Sequence, residues 1–258
     1  MRVVLNADDF GASDDTVEAT IDCFERGLLT SATIMAAMPA TERALRWASA
    51  HPELSFGVHL TFTGGLGERL VSDPVAVPSL VDGAGGPLPP NELRARALTR
   101  RLSVQEIARE AAAQIELVRG TVAVSHVDSH RHVHKLAPFR AALEDVLPGL
   151  GIARVRRAQN VYVAPRRTSP TYWLGGAWGR RTASAFRTTD HFFMAGKDET
   201  GWGARLAGLA DGLPGSTLEI GVHPGREEAW RASEAAELAA AARLLRAGGH
   251  ELVGWDSI

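Results

Sequence analysis

The sequence predicts an α/β protein whose best architecture is an irregular or incomplete (β/α) barrel with mainly parallel strands. Short apolar runs alternate with amphipathic stretches of helical period, which is typical of repeated β-α units. The length of 258 residues is close to that of single α/β barrels, so a single domain over residues 1–258 is sufficient. About eight predicted strands favour a barrel, and an open doubly wound sheet is the alternative.

The first half of the chain shows clear helix starts. Ser13 or Asp14 is expected to cap a helix, and Thr41 to cap the next one. Ser103 and Glu106 form a capping-box start for a third helix. The predicted strands cover residues 2–5, 30–38, 56–62 and 122–128, and the predicted helices cover 14–26, 41–50, 103–119 and 138–146.

The second half continues the same alternation but also contains aperiodic sequence. Strands are predicted at 152–156, 191–194, 217–222 and 251–255, with helices near 202–211 and 233–247. Residues 64–101 are rich in Gly and Pro, and residues 159–189 contain Tyr172, Trp173 and Trp178. We expect both segments to be long loops over one end of the barrel, where substrate sites lie in this fold.

Charge and composition argue against several classes of protein. A net charge of −2, from 28 basic and 30 acidic residues, disfavours a dedicated nucleic-acid or membrane-surface binder. The Arg clusters at 94–101 and 154–157 are interpreted as solvated faces. Cys23 is the single cysteine, so no disulfide framework is expected. No apolar run approaches the roughly 18 residues of a membrane span, and the start MRVVLNADDF is unlike a signal peptide, so we expect a cytoplasmic protein.

The stretch SHVDSHRHVHK, residues 125–135, contains four of the nine histidines in the chain. One histidine on such a strand would ordinarily be a core residue with a hydrogen-bond partner. Four of them, at His126, His130, His132 and His134, with Asp128 between the first two, are hard to satisfy in that way. Their spacing points to a site rather than to a core.

Polar groups stand at the ends of four predicted strands. The first ends in Asn6-Ala7-Asp8-Asp9-Phe10-Gly11, the third carries His59, the fourth enters the histidine stretch, and the seventh ends in His223-Pro224-Gly225. In a parallel barrel these ends meet at one face. Each motif alone is weak, and their shared position is the strong signal.

Asp8 and Asp9 are adjacent carboxylates, and neighbouring side chains on an extended chain point in different directions. One could therefore bind a cation while the other acts as a base, although a turn or helix-cap pair is the plainer interpretation. One Asp and two His form an open nitrogen and oxygen site for a divalent metal. Such a metal lowers the pKa of a bound water from 15.7 to about 7 and polarises a carbonyl, and hydrolysis of an amide or ester also needs a base and an acid.

The motifs NADDFG, G-x-H-L, H-x-D-S-H-x-H-x-H and E-x-x-x-H-P-G together resemble the YdjC-like carbohydrate deacetylases, which include chitooligosaccharide and hopanoid-associated deacetylases. The resemblance keeps the right order from Asn6 to Gly225. It implies an irregular β/α barrel, one divalent cation, with Mg²⁺ or Zn²⁺ favoured, and removal of an N-acetyl group from an amino sugar, a chitooligosaccharide or a related glycoconjugate. The resemblance defines the residues of the metal pocket better than it defines the identity of the sugar.

Carried over by motif, the resemblance assigns a role to each of several residues. Asp9, His59 and His130 resemble the metal ligands, Asp8 resembles the general base, and His223 resembles the acid or transition-state stabiliser. His132 is expected in a second shell or facing substrate. The remaining group, which could orient ligands through hydrogen bonds, is His126, Asp128 and His134.

Other interpretations remain open at this point. A metal phosphoesterase would use two or three cations, for which His126, His132 and His134 could supply ligands. A non-catalytic metal- or sugar-binding protein is a third reading, which the spare Asp8 disfavours. Trp173 is a candidate sugar-stacking residue, a loop anchor or a subunit contact. The expected partner is a small-molecule or oligosaccharide substrate, and a homodimer is left open.

Overall fold

A computed structural model describes residues 1–65, 67–163 and 170–258, without the side chains of 170–176. Within these residues one curled sheet holds seven strands, all parallel, in the order β4-β3-β2-β1-β6-β5, with β7 also paired to β1. The predicted α/β fold with an incomplete barrel is therefore confirmed. The strands are β1 (Arg2–Phe10), β2 (Ser31–Ile34), β3 (Ser55–Leu60), β4 (Val124–Ser129), β5 (His191–Met194), β6 (Thr217–Val222) and β7 (Glu251–Leu252).

Helices follow most of the strands, and two of them begin with a serine cap. Ser13 accepts a hydrogen bond from the Thr16 amide, and Ser103 accepts one from the Glu106 amide, as predicted. Thr41 does not cap: it is the first helical residue, and its hydroxyl instead donates to the Met35 carbonyl. The helices are α1 (Asp14–Glu25), α2 (Thr41–Ser49), α3 (Pro90–Leu98), α4 (Val104–Arg119), α5 (Ala137–Val146), α6 (Pro170–Ala185), α7 (Trp202–Ala210) and α8 (Ala229–Ala247).

The two segments predicted as long loops contain helices. α3 lies within residues 64–101, and α6 lies within 159–189. Pro90 at the start of α3 is compatible with a first helical turn, where no amide donor is needed. Gly, Pro and Arg obscured the helical period of both segments, so the prediction of loops was wrong for these parts.

The gap between the edge strands β4 and β5 is bridged by residues 153–161. The amides of Val127 and Arg156 pair with the carbonyls of Arg154 and Val127, which aligns this segment with β4. The amides of Asn160 and Val161 then donate to the carbonyl of Phe192 on β5. Residues 152–156 were predicted as a strand, but they form only isolated bridges, because the segment leaves β4 to reach β5.

Burial explains why the strand sequences are runs of apolar residues. Val3, Val4, Leu5 and Ala7 of β1 are all fully buried, as expected for a parallel sheet covered on both faces. The carboxyl ends of β1, β3, β4 and β6 lie at the same edge of the sheet, since all its strands are parallel, with β1 paired to β6 and β3 paired to β4. Among the described residues, no helix is long and apolar enough to cross a membrane.

Candidate active site

The end of β1 places Asp8 and Asp9 in one site by breaking the strand geometry. Asp9 has a φ of 60°, in the left-handed region, and the pairing of β1 with β2 shifts register between Ala7 and Phe10. An L-residue in this conformation costs about 1–2 kcal/mol. Both carboxylates are buried and line the same cleft. Asp8 and Asp9 were expected on an extended strand, whereas the strand is kinked where they lie.

Asp9, His59 and His130 form a compact cluster of possible metal ligands. Asp9 Oδ1 lies 3.4 Å from His59 Nε2 and 3.0 Å from His130 Nδ1. One ligand atom from each residue lies within 4.8 Å of the other two. A carboxylate and two imidazoles are a donor set that divalent transition metals and Mg²⁺ accept, so these residues fit a cation.

Asp128 orients His59 from behind. The distance from His59 Nδ1 to Asp128 Oδ1 is 2.7 Å, which leaves Nε2 facing Asp9. Burial lowers the pKa of His59, but the carboxylates of Asp128, Asp9 and Asp8 outweigh burial and raise it to about 10. The same negative charges that retain a proton on His59 would attract a cation in its place.

Asp8 is held by Arg156, a buried arginine that was expected on the surface. Arg156 was interpreted as part of a solvated Arg cluster, yet its side chain is fully buried. Its Nη1 and Nη2 donate to the two oxygens of Asp8 at 2.7 and 2.8 Å, a bidentate pairing. Arg156 also contacts Asp128, and its Nε donates to Glu219 at 2.7 Å. Glu219, isolated within the apolar strand β6, was the signal that could have indicated a buried cationic partner.

These contacts set the protonation of the cluster. Burial raises the pKa of Asp8, but Arg156, together with His59 and His223, outweighs burial and holds the pKa of Asp8 below its ordinary value. Burial raises the pKa of Glu219 to about 7, against the opposing effect of Arg156. Asp8 is therefore ionised near neutral pH and able to accept a proton.

His223 faces the cleft from the end of β6. Its Nδ1 lies 3.3 Å from Glu234 Oε2 on α8, and its amide donates to the same oxygen. Burial lowers the pKa of His223, but the carboxylates of Glu234, Asp9 and Asp8 together outweigh burial, so the pKa is raised. His223 and Asp8 line one cleft together with the three candidate ligands.

Arg231 on α8 completes the surroundings of Asp9. Its Nη2 donates to Asp9 Oδ2 at 2.9 Å, so the two oxygens of Asp9 are shared between the ligand cluster and this arginine. A Cβ at Gly225 would lie 2.6 Å from Arg231 Cδ, which explains why glycine follows His223-Pro224. The helix α8 was predicted to begin at residue 233; it begins four residues earlier, and Arg231 and Trp230 were missed for that reason.

The other histidines of the 125–135 stretch are not brought to the ligand cluster. His126 is buried, stacks on Trp255 with ring centroids 4.5 Å apart and pairs with Ser125 Oγ at 2.9 Å. His134 pairs with Ser129 Oγ at 2.7 Å, and burial lowers its pKa to about 3. His132 lines the cleft with a φ of 53° and lies 3.2 Å from Met194 Sδ.

The cleft has a volume of about 340 Å³ and an aromatic wall. Trp230 lies beside His223 with ring centroids 5.3 Å apart, and Lys197 stands 4.3 Å above the Trp230 ring. The side chain of Trp173, the predicted sugar-stacking residue, lies outside the described residues. The cleft is lined by Asp8, Asp9, His59, His130, Arg131, His132, Lys197, His223, Glu228, Trp230 and Arg231.

Comparison with known families and structures identifies the family and the shared fold. A family model described as "YdjC-like protein" matches residues 2–249. A crystal structure from Enterococcus faecalis V583, of a candidate cellobiose-phosphate cleavage protein, has a TM-score of 0.80, covers 99% of this chain and 98% of its own, and is 23% identical, so it shows the shared fold.

Curated relatives share the sequence more closely. A carbohydrate deacetylase of Brevibacillus brevis is 34% identical over 74% of this chain and 68% of the relative. One from Vibrio campbellii is 29% identical over 87% and 78%. One from Geobacillus stearothermophilus is 42% identical, but the match covers 51% of this chain and only half of that relative's length. The resemblance read from the motifs is confirmed.

Proposed function

The chain belongs to the YdjC-like family, and from this we propose that it is a metal-dependent hydrolase that removes an N-acetyl group from an amino sugar, a chitooligosaccharide or a related glycoconjugate. The observation that carries the proposal is one cleft in which the Asp9, His59 and His130 cluster is flanked by the ionised Asp8 and by His223. Relatives described as carbohydrate deacetylases support the substrate class.

Asp9, His59 and His130 would hold the cation. A bound divalent cation lowers the pKa of water and polarises a carbonyl oxygen. Asp128 fixes the orientation of the His59 ring through Nδ1, and Arg231 holds the outer oxygen of Asp9. These contacts place the ligand atoms before a cation arrives, which reduces the cost of ordering them.

Asp8 and His223 divide the proton transfers. Asp8 accepts a proton from the attacking water as the bond from water oxygen to the acyl carbon forms. His223 donates a proton to the amide nitrogen as the bond from carbon to nitrogen breaks, which releases a carboxylate and an amine. Arg156 keeps Asp8 ionised and fixed by two hydrogen bonds, while Glu234 favours the protonated form of His223.

Trp230 is the aromatic group available for the sugar. It is half-buried in the cleft wall next to His223, so a sugar ring attached to the leaving nitrogen would lie near its indole ring, over which Lys197 and Arg231 also lie. Sugars offer C–H faces to aromatic rings, and their hydroxyls need polar partners, which Lys197 and Arg131 provide nearby. We propose Trp230 as a sugar-contacting residue, and the same role for Trp173, whose side chain lies outside the described residues, stays a prediction.

The test is release of acetate by the purified protein, loaded with Mg²⁺ or Zn²⁺, from N-acetylglucosamine, its β-1,4 oligomers and N-acetylated glycolipids. We expect acetate in a molar ratio of one to the amine formed. A phosphate monoester series run in parallel addresses the phosphoesterase alternative. Phosphate release without acetate release would contradict the proposal, as would the absence of either product with both metals.

The structure gives the phosphoesterase alternative little support. It requires ligands for further cations, but His126 and His134 do not line the cleft, and His132, which does, belongs to no group of possible metal ligands among the described residues. The second carboxylate-rich group among the described residues contains Asp8, His59 and Asp128, and the Arg156 guanidinium already contacts both carboxylates there.

A further inference from the structure

A second cavity lies behind the candidate metal ligands. Its volume is about 150 Å³, and it shares Asp9, His130, Glu228 and Arg231 with the catalytic cleft. Neither Asp8, His59 nor His223 borders it. We call it the side cavity; its lining consists of Asp9, Ala12, Ser13, Asp15, Thr16, Met35, Met38, Glu68, His130, Glu227, Glu228 and Arg231.

Several polar groups of the side cavity are already bound to other parts of the protein. Ser13 Oγ accepts from the Thr16 amide, and Thr16 Oγ1 donates to the Ser13 carbonyl. The Asp15 carboxylate accepts from the amides of Arg226 and Glu227 at 2.9–3.2 Å. The thioether side chains of Met35 and Met38, both buried, form the apolar part of the lining.

The chemistry of amide cleavage determines which residue each group on the acyl carbon must lie near. The leaving nitrogen must lie near His223, and the attacking water near Asp8, and both residues border only the cleft. The sugar follows the nitrogen and therefore also lies in the cleft, beside Trp230. The acyl chain carries neither the proton nor the leaving group, so it need not lie beside Asp8 and His223 and can extend into the side cavity, which shares Asp9 and His130 with the cleft.

We propose that the side cavity binds the acyl chain of the substrate and accepts chains longer than acetyl. This inference rests on the proposed amide hydrolysis. A cavity of about 150 Å³ is large enough to hold a benzene molecule in a protein interior, whereas acetyl would contribute a single methyl group. Methionine side chains adapt to chains of different length because they are unbranched and flexible.

The experiment compares N-acetyl, N-propionyl, N-butyryl and N-hexanoyl forms of one amino-sugar oligomer, with kcat/KM measured from amine release. We expect the wild-type protein to cleave the N-butyryl form within about tenfold of the N-acetyl form, since the side cavity has room for the added methylenes beside Met35 and Met38. Met38→Phe should reduce N-butyryl cleavage at least about tenfold and leave N-acetyl cleavage within about threefold. Met38→Leu, which conserves volume, is the matched control, and the melting temperature of each variant reports its folding.

The outcomes separate this inference from the proposed function. Cleavage of the N-acetyl form, with N-butyryl cleavage below about 1% of it, would overturn the side-cavity assignment and leave the hydrolase intact. Equal losses on all acyl forms in a folded Met38→Phe variant would also overturn it. Failure to cleave any acyl form would overturn both. The wild-type series decides the question even if Met38→Phe does not fold.

Discussion

At the residue scale, the pairing of Asp8 with Arg156 is the central electrostatic feature. A carboxylate buried without a partner would take up a proton, and a base must be free of that proton before it can accept one from water. The guanidinium prevents this by binding both Asp8 oxygens, at 2.7 and 2.8 Å. Because Arg156 also contacts Asp128 and Glu219, the fold does not depend on Asp8 alone to compensate that buried cation.

Asp8→Asn should therefore lower kcat by about 10² to 10⁴ without loss of bound metal, since Asn retains the size of Asp but cannot accept the proton. Acetate release and metal content of the variant are measured together. Activity within about threefold of wild type would exclude Asp8 as the base. A variant in which ligand affinity is the only altered property would favour a non-catalytic binding protein.

His223 predicts a pH dependence. As an acid it must be protonated, so activity falls as pH rises through its pKa, which Glu234 raises against the effect of burial. Glu234→Gln removes that negative charge and should move the alkaline limb of kcat/KM to lower pH. Glu237→Gln on the same helix, where the carboxylate binds the amides of Gly201 and Gly203, is the control and should leave the limb in place. If the alkaline limb of kcat/KM stays in place in Glu234→Gln, His223 is not the group whose titration causes it.

At the scale of elements, the regular strands and most helices could be predicted from periodicity and caps, while the kinks and crossings could not. The strand at 217–222 and the Ser13 cap are local patterns, and the structure confirms both. The left-handed Asp9 depends on pairing with β2, and the path of residues 153–161 depends on both edge strands. Such non-local constraints leave little trace in sequence spacing.

The candidate site shows the same division. The motif residues Asp8, Asp9, His59, His130 and His223 do converge, because parallel strands end at one face. Arg156 was mistaken for a surface residue, since an Arg run is usually solvated and its three carboxylate partners lie on three other strands. The early start of α8, which brings Trp230 and Arg231 to the cleft, lacks a side-chain N-cap to mark it.

The segment that bridges β4 and β5 yields a prediction about stability. Arg156→Met would keep much of the side-chain volume but leave Asp8, Asp128 and Glu219 buried without their shared cation. Breaking a buried ion pair on one side typically costs about 3–5 kcal/mol. Urea unfolding should show a loss of that order, and Arg154→Met, at a partly exposed position on the same segment, should cost much less. Equal effects of the two substitutions would contradict the buried cluster.

At the scale of the whole molecule, the curled sheet gathers the candidate metal ligands, the proposed base and the proposed acid from strands far apart in sequence. β1 contributes Asp8 and Asp9, β3 contributes His59, the end of β4 leads to His130, and the end of β6 leads to His223. The long helical segments between strands do not disturb this convergence, because they lie outside the sheet. The proposed hydrolysis thus depends on sheet topology as much as on any motif.

The most direct test of metal-dependent deacetylation is titration of a divalent cation into metal-free protein while acetate release from an N-acetyl chitooligosaccharide is followed. If Asp9, His59 and His130 hold the catalytic cation, activity rises to a plateau at one cation per chain. His59→Ala should bind no cation at that site and release no acetate, yet keep the fold by circular dichroism. Full activity without metal, a plateau at two or three cations, or full metal occupancy in His59→Ala would contradict it.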